Sequence, residues 1–197
     1  MKPGLLIVVS GPAGVGKGTV VSQVRLKNRY VAFSVSATSR IPRPGEIDGE
    51  NYYFVSRERF EEMIKNDELL EWVEYCGNYY GTPKAYVEAE LAKGRIVILE
   101  IDVEGAGKIK KQYPKSVSIF ITPPTLDELR KRITKRGTES TEIIEERMDR
   151  AEKELDHIHE YDYIIINDTV EKSTKEFLQI LEKERNNYGN ENIKKGE

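Results

Sequence analysis

Nine residues carry the most specific chemistry in the chain: Gly11-Pro12-Ala13-Gly14-Val15-Gly16-Lys17-Gly18-Thr19. They follow an apolar run, Leu5–Ser10, and precede valines at helical spacing, Val20, Val21 and Val24. Gly11, Gly16 and Lys17 have the spacing of a phosphate-binding loop between a strand and a helix. Glycines let the backbone wrap with its N–H groups inward, forming a nest for anions. The helix N-terminus adds positive partial charge. Lys17 brings a cation to the β and γ phosphates of a nucleoside triphosphate. One position departs from the pattern. The hydroxyl residue expected after the lysine, a usual Mg²⁺ ligand, is Gly18, and Thr19 comes one place later. Mg²⁺ is therefore expected to be held mainly by phosphates and waters, which it prefers in any case. A dinucleotide fingerprint fails because Thr19 occupies its third glycine position.

A second anion site is readable between Ser36 and Val55. Arg40 and Arg43 lie three apart, ahead of Glu46 and Tyr52. Guanidinium forks match phosphate oxygens bidentately, so the pair would cradle a monophosphate. Glu46 would orient the guanidinium groups, and a tyrosine hydroxyl would add a further bond. Taken alone, a charged loop is most often simply solvated. A third cluster, Arg130, Lys131, Arg132, Lys135 and Arg136, is either a solvated helix face or a source of cations for phosphoryl transfer. His157 and His159 are two apart and do not share a helical face, so no metal site is expected. Cys76 has no readable catalytic partner and suits a small packed thiol. Glu142, Glu145 and Glu146 opposite Arg147 and Arg150 read as charge pairs on a helix surface.

These residues need rigid elements to aim them, and the patterning supplies strands alternating with helices. Leu5–Ser10, Val31–Val35, Tyr52–Val55, Leu69–Tyr75, Ile96–Ile101, Val117–Ile121 and Tyr163–Ile166 read as strands, the first, fifth and last of them buried. Ser36 to Asn51 reads as loop, and Gly77-Asn78 as a turn. Phe60, Met63 and Ile64 mark a short helix. Thr82 with Pro83 predicts an N-cap and first helical position, closed by Gly94. Val103 to Gln112 is expected to be helical. Thr125 with Glu128 predicts a capping box. Ile144, Met148, Ala151, Leu155 and Ile158 predict an amphipathic helix. Asp168 with Glu171 predicts the cap of a last helix ending near Asn187. The pattern predicts an α/β fold, a parallel sheet flanked by helices, with ligands at the carboxyl ends of the strands.

With those motifs in order, the sequence resembles the guanylate kinase family. The resemblance rests on Thr38-Ser39-Arg40, Arg43, Glu46, Gly49, Tyr52 and Phe54, then Glu71-Trp72 and Gly77-Asn78-Tyr79-Tyr80-Gly81-Thr82. It continues through Ile98 to Gly105, Arg136-Gly137-Thr138-Glu139 and Asn167-Asp168, and covers Leu5 to Asn187. It implies a P-loop NTPase-type sheet with a small GMP-binding lobe and a helical lid. The implied division is a discontinuous core (1–35, 83–125 and 160–187), a GMP lobe (36–82), a lid (126–159) and a polar, frayed tail (188–197). The phosphate loop, Gly11 to Thr19, would hold ATP together with Arg132, Arg136 and Asn167, the last approaching adenine. Ser36, Arg40, Arg43, Glu46, Tyr52 and Tyr80 would surround the GMP phosphate. Glu71 and Thr82 would read guanine, with Ser36 nearby, and Asp102 would lie near the base or Mg²⁺-bound waters. Lys17, Arg43, Arg136 and Arg147 would carry catalysis. Glu100, where many relatives have aspartate, would be an acidic residue near the Mg²⁺ shell.

Composition agrees with a small cytoplasmic enzyme. The chain has 197 residues, 31 Lys and Arg against 34 Asp and Glu, a net charge of −3 and one cysteine. The charge balance opposes a general nucleic-acid binder. One cysteine excludes an internal disulfide and suits a reducing compartment. The apolar run near the start is too short for a signal peptide, and no membrane span is expected. Two further readings remain open at this stage. A guanylate-kinase-like scaffold module would bind phosphorylated peptides where GMP sits; the intact Gly16-Lys17 loop favours the enzyme. Another nucleoside monophosphate kinase would share Gly16-Lys17-Gly18-Thr19; the Arg40-to-Phe54 pattern opposes it.

Overall fold

The computed structural model describes residues 4–75, 77–134 and 141–193, with side chains as far as residue 187. The elements run in chain order β1 (Leu5–Ser10), α1 (Lys17–Lys27), β2 (Val31–Phe33), β3 (Ala37–Thr38), β4 (Tyr53–Phe54), α2 (Arg57–Lys65), β5 (Leu69–Tyr75) and β6 (Asn78–Pro83). They continue with α3 (Lys84–Ala92), β7 (Ile96–Glu100), α4 (Val103–Gln112), β8 (Val117–Thr122), α5 (Leu126–Thr134), α6 (Thr141–Leu155), β9 (Tyr163–Ile166) and α7 (Val170–Ile193). Five strands form a parallel sheet in the order β2-β7-β1-β8-β9.

β1 lies at the centre, and all six of its residues are buried. Alternation along the strands divides the core in two, because successive side chains point to opposite faces. Ile7, Val9, Ile98 and Ile119 pack with Val20 and Val24 of α1, Met148 of α6 and Phe177 of α7. Leu6, Val8, Val97 and Leu99 pack on the other side with Val87 of α3 and Ile109 of α4. A strand buried on both faces must be apolar at every position, which is why Leu5–Val9 shows no alternation.

A second sheet has the order β4-β3-β6-β5, with β5 and β6 antiparallel. Its core is Ala37, Leu69 and the α2 residues Phe60 and Met63. The strand β5 also touches the main body through α4: the Gln112 amide donates to the Leu70 carbonyl at 3.0 Å. This second sheet therefore does not hang free of the first.

Several local expectations need correction. β3 lies inside the stretch read as loop, and β6 occupies the stretch read as a turn followed by a helix cap. Thr82 does not cap α3, whose N-cap is Pro83 without a side-chain bond; its hydroxyl is used elsewhere. β9 is an edge strand and not a buried one, with Ile164 45% and Ile166 56% exposed. The cap of α7 falls on Thr169, whose hydroxyl accepts from Lys172 N–H at 3.3 Å, while Asp168 pairs with Lys172 Nζ at 2.7 Å. The backbone of α7 continues to Ile193, past the expected end at Asn187 and into the tail read as frayed. Thr125 does accept from Glu128 N–H, but the Glu128 carboxylate takes Arg132 instead of closing the box. Cys76, Lys135, Arg136 and Gly137-Thr138-Glu139 lie outside the described residues. No helix among the described residues is long and apolar enough to cross a membrane.

Candidate active site

The loop after β1 wraps as its glycines require. Gly11 has φ +141°, and a Cβ there would sit 2.0 Å from the Ile121 carbonyl oxygen, so only glycine lets the loop pass this close to β8. Gly16 is the N-cap of α1 at φ 97°. Lys17 Nζ donates to the carbonyls of Gly11 and Pro12, spanning the loop from within. Burial pulls the Lys17 pKa down from its ordinary value, and the carboxylates of Glu100, Glu154 and Asp102 pull it back up. The acids come from the end of β7, from α6 and from the N-cap of α4.

Two side chains brace the loop from outside. Asn167 is buried; its amide nitrogen donates to the Val15 carbonyl at 2.7 Å, and its amide oxygen accepts from Ser173 at 2.9 Å. Arg132 donates to the same Val15 carbonyl at 3.3 Å and pairs with Glu128 at 2.9 Å. Gly18 leaves space that Glu100 faces: a Cβ there would come within 3.5 Å of Glu100 Oε2. Burial raises the Glu100 pKa, and Lys17 opposes the rise.

The loop between β3 and β4 is organised around one bidentate pair. Arg40 donates to both oxygens of Glu46, each at 2.9 Å, and Glu46 also accepts the Arg43 backbone N–H at 2.7 Å. Glu46 therefore orients Arg40 and shapes the turn that carries Arg43. The Arg40 guanidinium lies 5.4 Å from the Tyr52 ring, and Tyr52 meets Tyr80 edge-on at 5.9 Å. Burial raises the Tyr52 pKa, and the Glu100 charge raises it further. Glu100 is thus felt by Lys17 on one side and by Tyr52 on the other.

The third group is a pair of converging carboxylates. Glu71 on β5 is 5% exposed and accepts from the Thr82 hydroxyl at 2.6 Å. Asp102 caps α4 by accepting from Gly105 N–H at 2.8 Å. A Cβ at Gly105 would sit 2.8 Å from Glu71 Oε2 and 3.3 Å from Asp102 Oδ1, so glycine admits both acids to one spot. Burial pushes the Glu71 pKa up to about 7; Thr82 opposes the rise and Asp102 adds to it. Ser36 is half-buried beside this sheet, its carbonyl accepting from Tyr53 N–H at 2.9 Å. Arg147 is half-buried on α6, and Arg136 lies outside the described residues.

A family model for guanylate kinase matches residues 4–184. The guanylate kinase of Desulfitobacterium hafniense is 52% identical over 178 residues, covering 90% of this chain and 89% of that protein. That of Halalkalibacterium halodurans is 53% identical over 178 residues, covering 90% and 87%. The chain belongs to the guanylate kinase family. The crystal structure of guanylate kinase from Anaplasma phagocytophilum superposes with a TM-score of 0.79 at 34% identity, covering 93% of this chain and 87% of that one. Guanylate kinases are phosphotransferases, which fits a loop built to hold phosphates.

Within this guanylate kinase fold, some site neighbours escaped the sequence reading. Ser173, which fixes the Asn167 amide, carries no motif. Arg150 reads as an ordinary helix charge and Glu154 is not singled out, yet Glu154 is buried and Arg150 joins it at 3.0 Å. Arg150 does not pair with the glutamates of its own helix start; Glu145 pairs with Arg130 of α5. A charged residue three places after Ala151, beside the apolar stripe, was the available signal for Glu154. His157 binds Glu160 at 2.8 Å, and no group of acidic, histidine or cysteine side chains suited to a metal occurs among the described residues.

The raised Glu71 pKa makes a stability prediction. The folded protein keeps this proton to higher pH than the unfolded chain, whose carboxyl titrates near 4.5. The contribution is fully present below about 4.5 and is lost as pH rises through about 7. Glu71→Gln cannot ionise and keeps an oxygen for Thr82. Without nucleotide, it is expected to melt above the parent at pH 8 and close to it at pH 5. Scanning calorimetry at both values checks this; an equal difference at both would show that Glu71 does not titrate in that window.

Proposed function

We propose that this chain is an ATP:GMP phosphotransferase, moving the γ-phosphate of ATP to GMP to give ADP and GDP in the cytoplasm. The observation that carries the acceptor assignment is Glu71, a buried carboxylate on β5 with a hydroxyl beside it. Guanine presents two donors, N1–H and the N2 amine, next to the O6 acceptor. One carboxylate accepts from both donors, and the hydroxyls of Thr82 or Ser36 turn to donate to O6. Adenine would set an N1 lone pair against the carboxylate. Site geometry built on such bonds rejects the wrong partner by up to ~10⁴-fold.

The residues divide the work as follows. Residues 36–82 form the GMP lobe, 126–159 the lid, and the remaining elements the core. The loop Gly11 to Thr19 binds the ATP phosphates. Arg132 and Asn167 hold that loop, with Asn167 at the adenine end. Arg40, Arg43, Tyr52 and Tyr80 bind the GMP phosphate, with Glu46 orienting Arg40. Attack is in line, by a GMP phosphate oxygen on the γ-phosphorus, with ADP leaving. That oxygen is already anionic, so no strong general base is needed. The difficulty is repulsion between two polyanions. Lys17, Arg43, Arg136 and Arg147 offset it and stabilise the equatorial oxygens. Closure of lid and lobe excludes water, which would otherwise hydrolyse ATP. Mg²⁺ is the fitting cofactor: Glu100, a hard oxygen donor facing the space at Gly18, and Asp102 would reach its waters, with the phosphates supplying the direct ligands. When bound, it supplies neutralisation of phosphate charge.

An ADP-release assay with ATP and a panel of GMP, IMP and AMP tests the assignment. GMP is expected to be strongly preferred, AMP rejected, and IMP intermediate because it lacks the amine. Glu71→Gln should weaken GMP and narrow the gap to IMP; an unchanged GMP/IMP ratio of kcat/KM would show that another residue reads the base. Lys17→Met should keep the fold and lose at least ~10²-fold in kcat, as when a single electrostatic donor is removed. Near-parental turnover in that variant would overturn the phosphate-loop assignment.

A further inference from the structure

The guanidinium of Arg150 stands where three parts of the molecule meet. It projects from α6, with Nε 3.0 Å from Glu154 Oε1 of the same helix. Its Nη2 is 4.0 Å from Asp102 Oδ2, the oxygen that the α4 cap leaves over, since Oδ1 takes Gly105 N–H. Its Cζ lies 3.7 Å from the centre of the Tyr75 ring, at the end of the strand that carries Glu71. One planar cation thus touches a helix of the proposed lid segment, the end of the core sheet, and the proposed acceptor lobe. Arg suits such a junction because its flat fork stacks on a ring while its edge donates to carboxylates.

The contact continues into the acceptor site. Tyr75 meets Tyr80 at 6.2 Å, Tyr80 meets Tyr52 at 5.9 Å, and the Arg40 guanidinium lies 5.4 Å from the Tyr52 ring. On the other arm, Asp102 shares the space over Gly105 with Glu71. Two like charges converge there, and a cation on the far oxygen of Asp102 favours keeping that carboxylate in place. The pair with Glu154 holds the guanidinium at fixed height on the helix, so the contacts are not those of a freely swinging surface arginine.

We propose that Arg150 is a positioning residue for the acceptor nucleotide, tying the strand that carries Glu71 to the core through Tyr75 and Asp102. The inference rests on the GMP-acceptor reading above. Its main effect falls on the acceptor side, because Tyr75 lies outside the loop that binds ATP; Asp102 and Glu154 also bear on Lys17, so a smaller effect on ATP is expected.

The test is steady-state kinetics of the full chain with Arg150→Met, Arg150→Lys, Tyr75→Leu and the double variant Arg150→Met/Tyr75→Leu. Arg150→Met is expected to raise the GMP KM about fivefold, the scale of one partly exposed cation–ring contact, with a smaller fall in kcat and an ATP KM within about twofold. Arg150→Lys, which keeps a charge for Glu154 and Asp102 but not the flat stack, should recover part of the loss. Tyr75→Leu should raise the GMP KM as well, and the double variant should be little worse than Arg150→Met. An unchanged GMP KM in Arg150→Met, an equal rise in both KM values, or additive effects in the double variant would overturn the tie. Should Arg150→Met fail to fold, Arg150→Lys and Tyr75→Leu decide, and unchanged GMP KM values in both overturn it. The parent separates the two readings: no turnover of GMP by the parent defeats the acceptor assignment and the tie with it. Parental turnover with insensitive variants defeats the tie alone.

Discussion

The half-buried ammonium of Lys17 is the group around which the loop and the neighbouring acids are arranged. A cation held among apolar strands and a tight loop is costly to keep charged, and burial lowers its pKa accordingly. Three carboxylates offset part of that cost, and each arrives from a different element: Glu100 from β7, Asp102 from the start of α4, and Glu154 from α6. The parallel sheet makes that convergence possible, since β1 and β7 are neighbours and both end at the same edge. Asn167 and Arg132 fix the Val15 carbonyl, Ser173 fixes Asn167, and Glu100 faces Gly18.

The acceptor side obeys the opposite constraint. There the costly charges are negative. Glu71 and Asp102 share one space over Gly105, and burial holds Glu71 near the midpoint of its titration at neutral pH. Such a group destabilises the fold when ionised, and the energy is recovered only when donors are brought to it. The Arg40–Glu46 pair is the contrasting case. It is bidentate, half-buried and internally matched, so it organises a loop that would otherwise be an ordinary solvated stretch.

Much of this was legible from residue types alone, for identifiable reasons. The phosphate loop is local, because its glycines and lysine act within nine residues. The strands of the main sheet are continuous apolar runs, and helices α4 and α6 follow 3.6-residue periodicity. The Arg40–Glu46 pair was visible as an arginine six residues before an acid in a loop. The second sheet was harder. β6 is Asn78-Tyr79-Tyr80-Gly81-Thr82-Pro83, whose turn-forming residues hide a strand that pairs with β5. Thr82 before Pro83 looks like a cap, yet a buried carboxylate across the hairpin claims its hydroxyl. Ile164 and Ile166 are apolar but exposed because β9 is the last strand, and edge position is a property of topology. Arg150 and Glu154 could be placed on one helix face by their spacing, but only packing shows that this face looks toward Asp102 and Tyr75.

In the proposed mechanism a triphosphate cradle at Lys17 and a guanine-reading cradle at Glu71 are occupied together, on one continuous site. Calorimetric titration with a single molecule joining adenosine and guanosine through five phosphates tests it most directly. Such a ligand is predicted to bind far more tightly than ATP or GMP alone, because the second contact becomes intramolecular. Its diadenosine counterpart should bind much more weakly, and Glu71→Gln should erase most of the difference between them. Equal affinity for the two linked molecules, or affinity no better than that for ATP alone, would contradict the account.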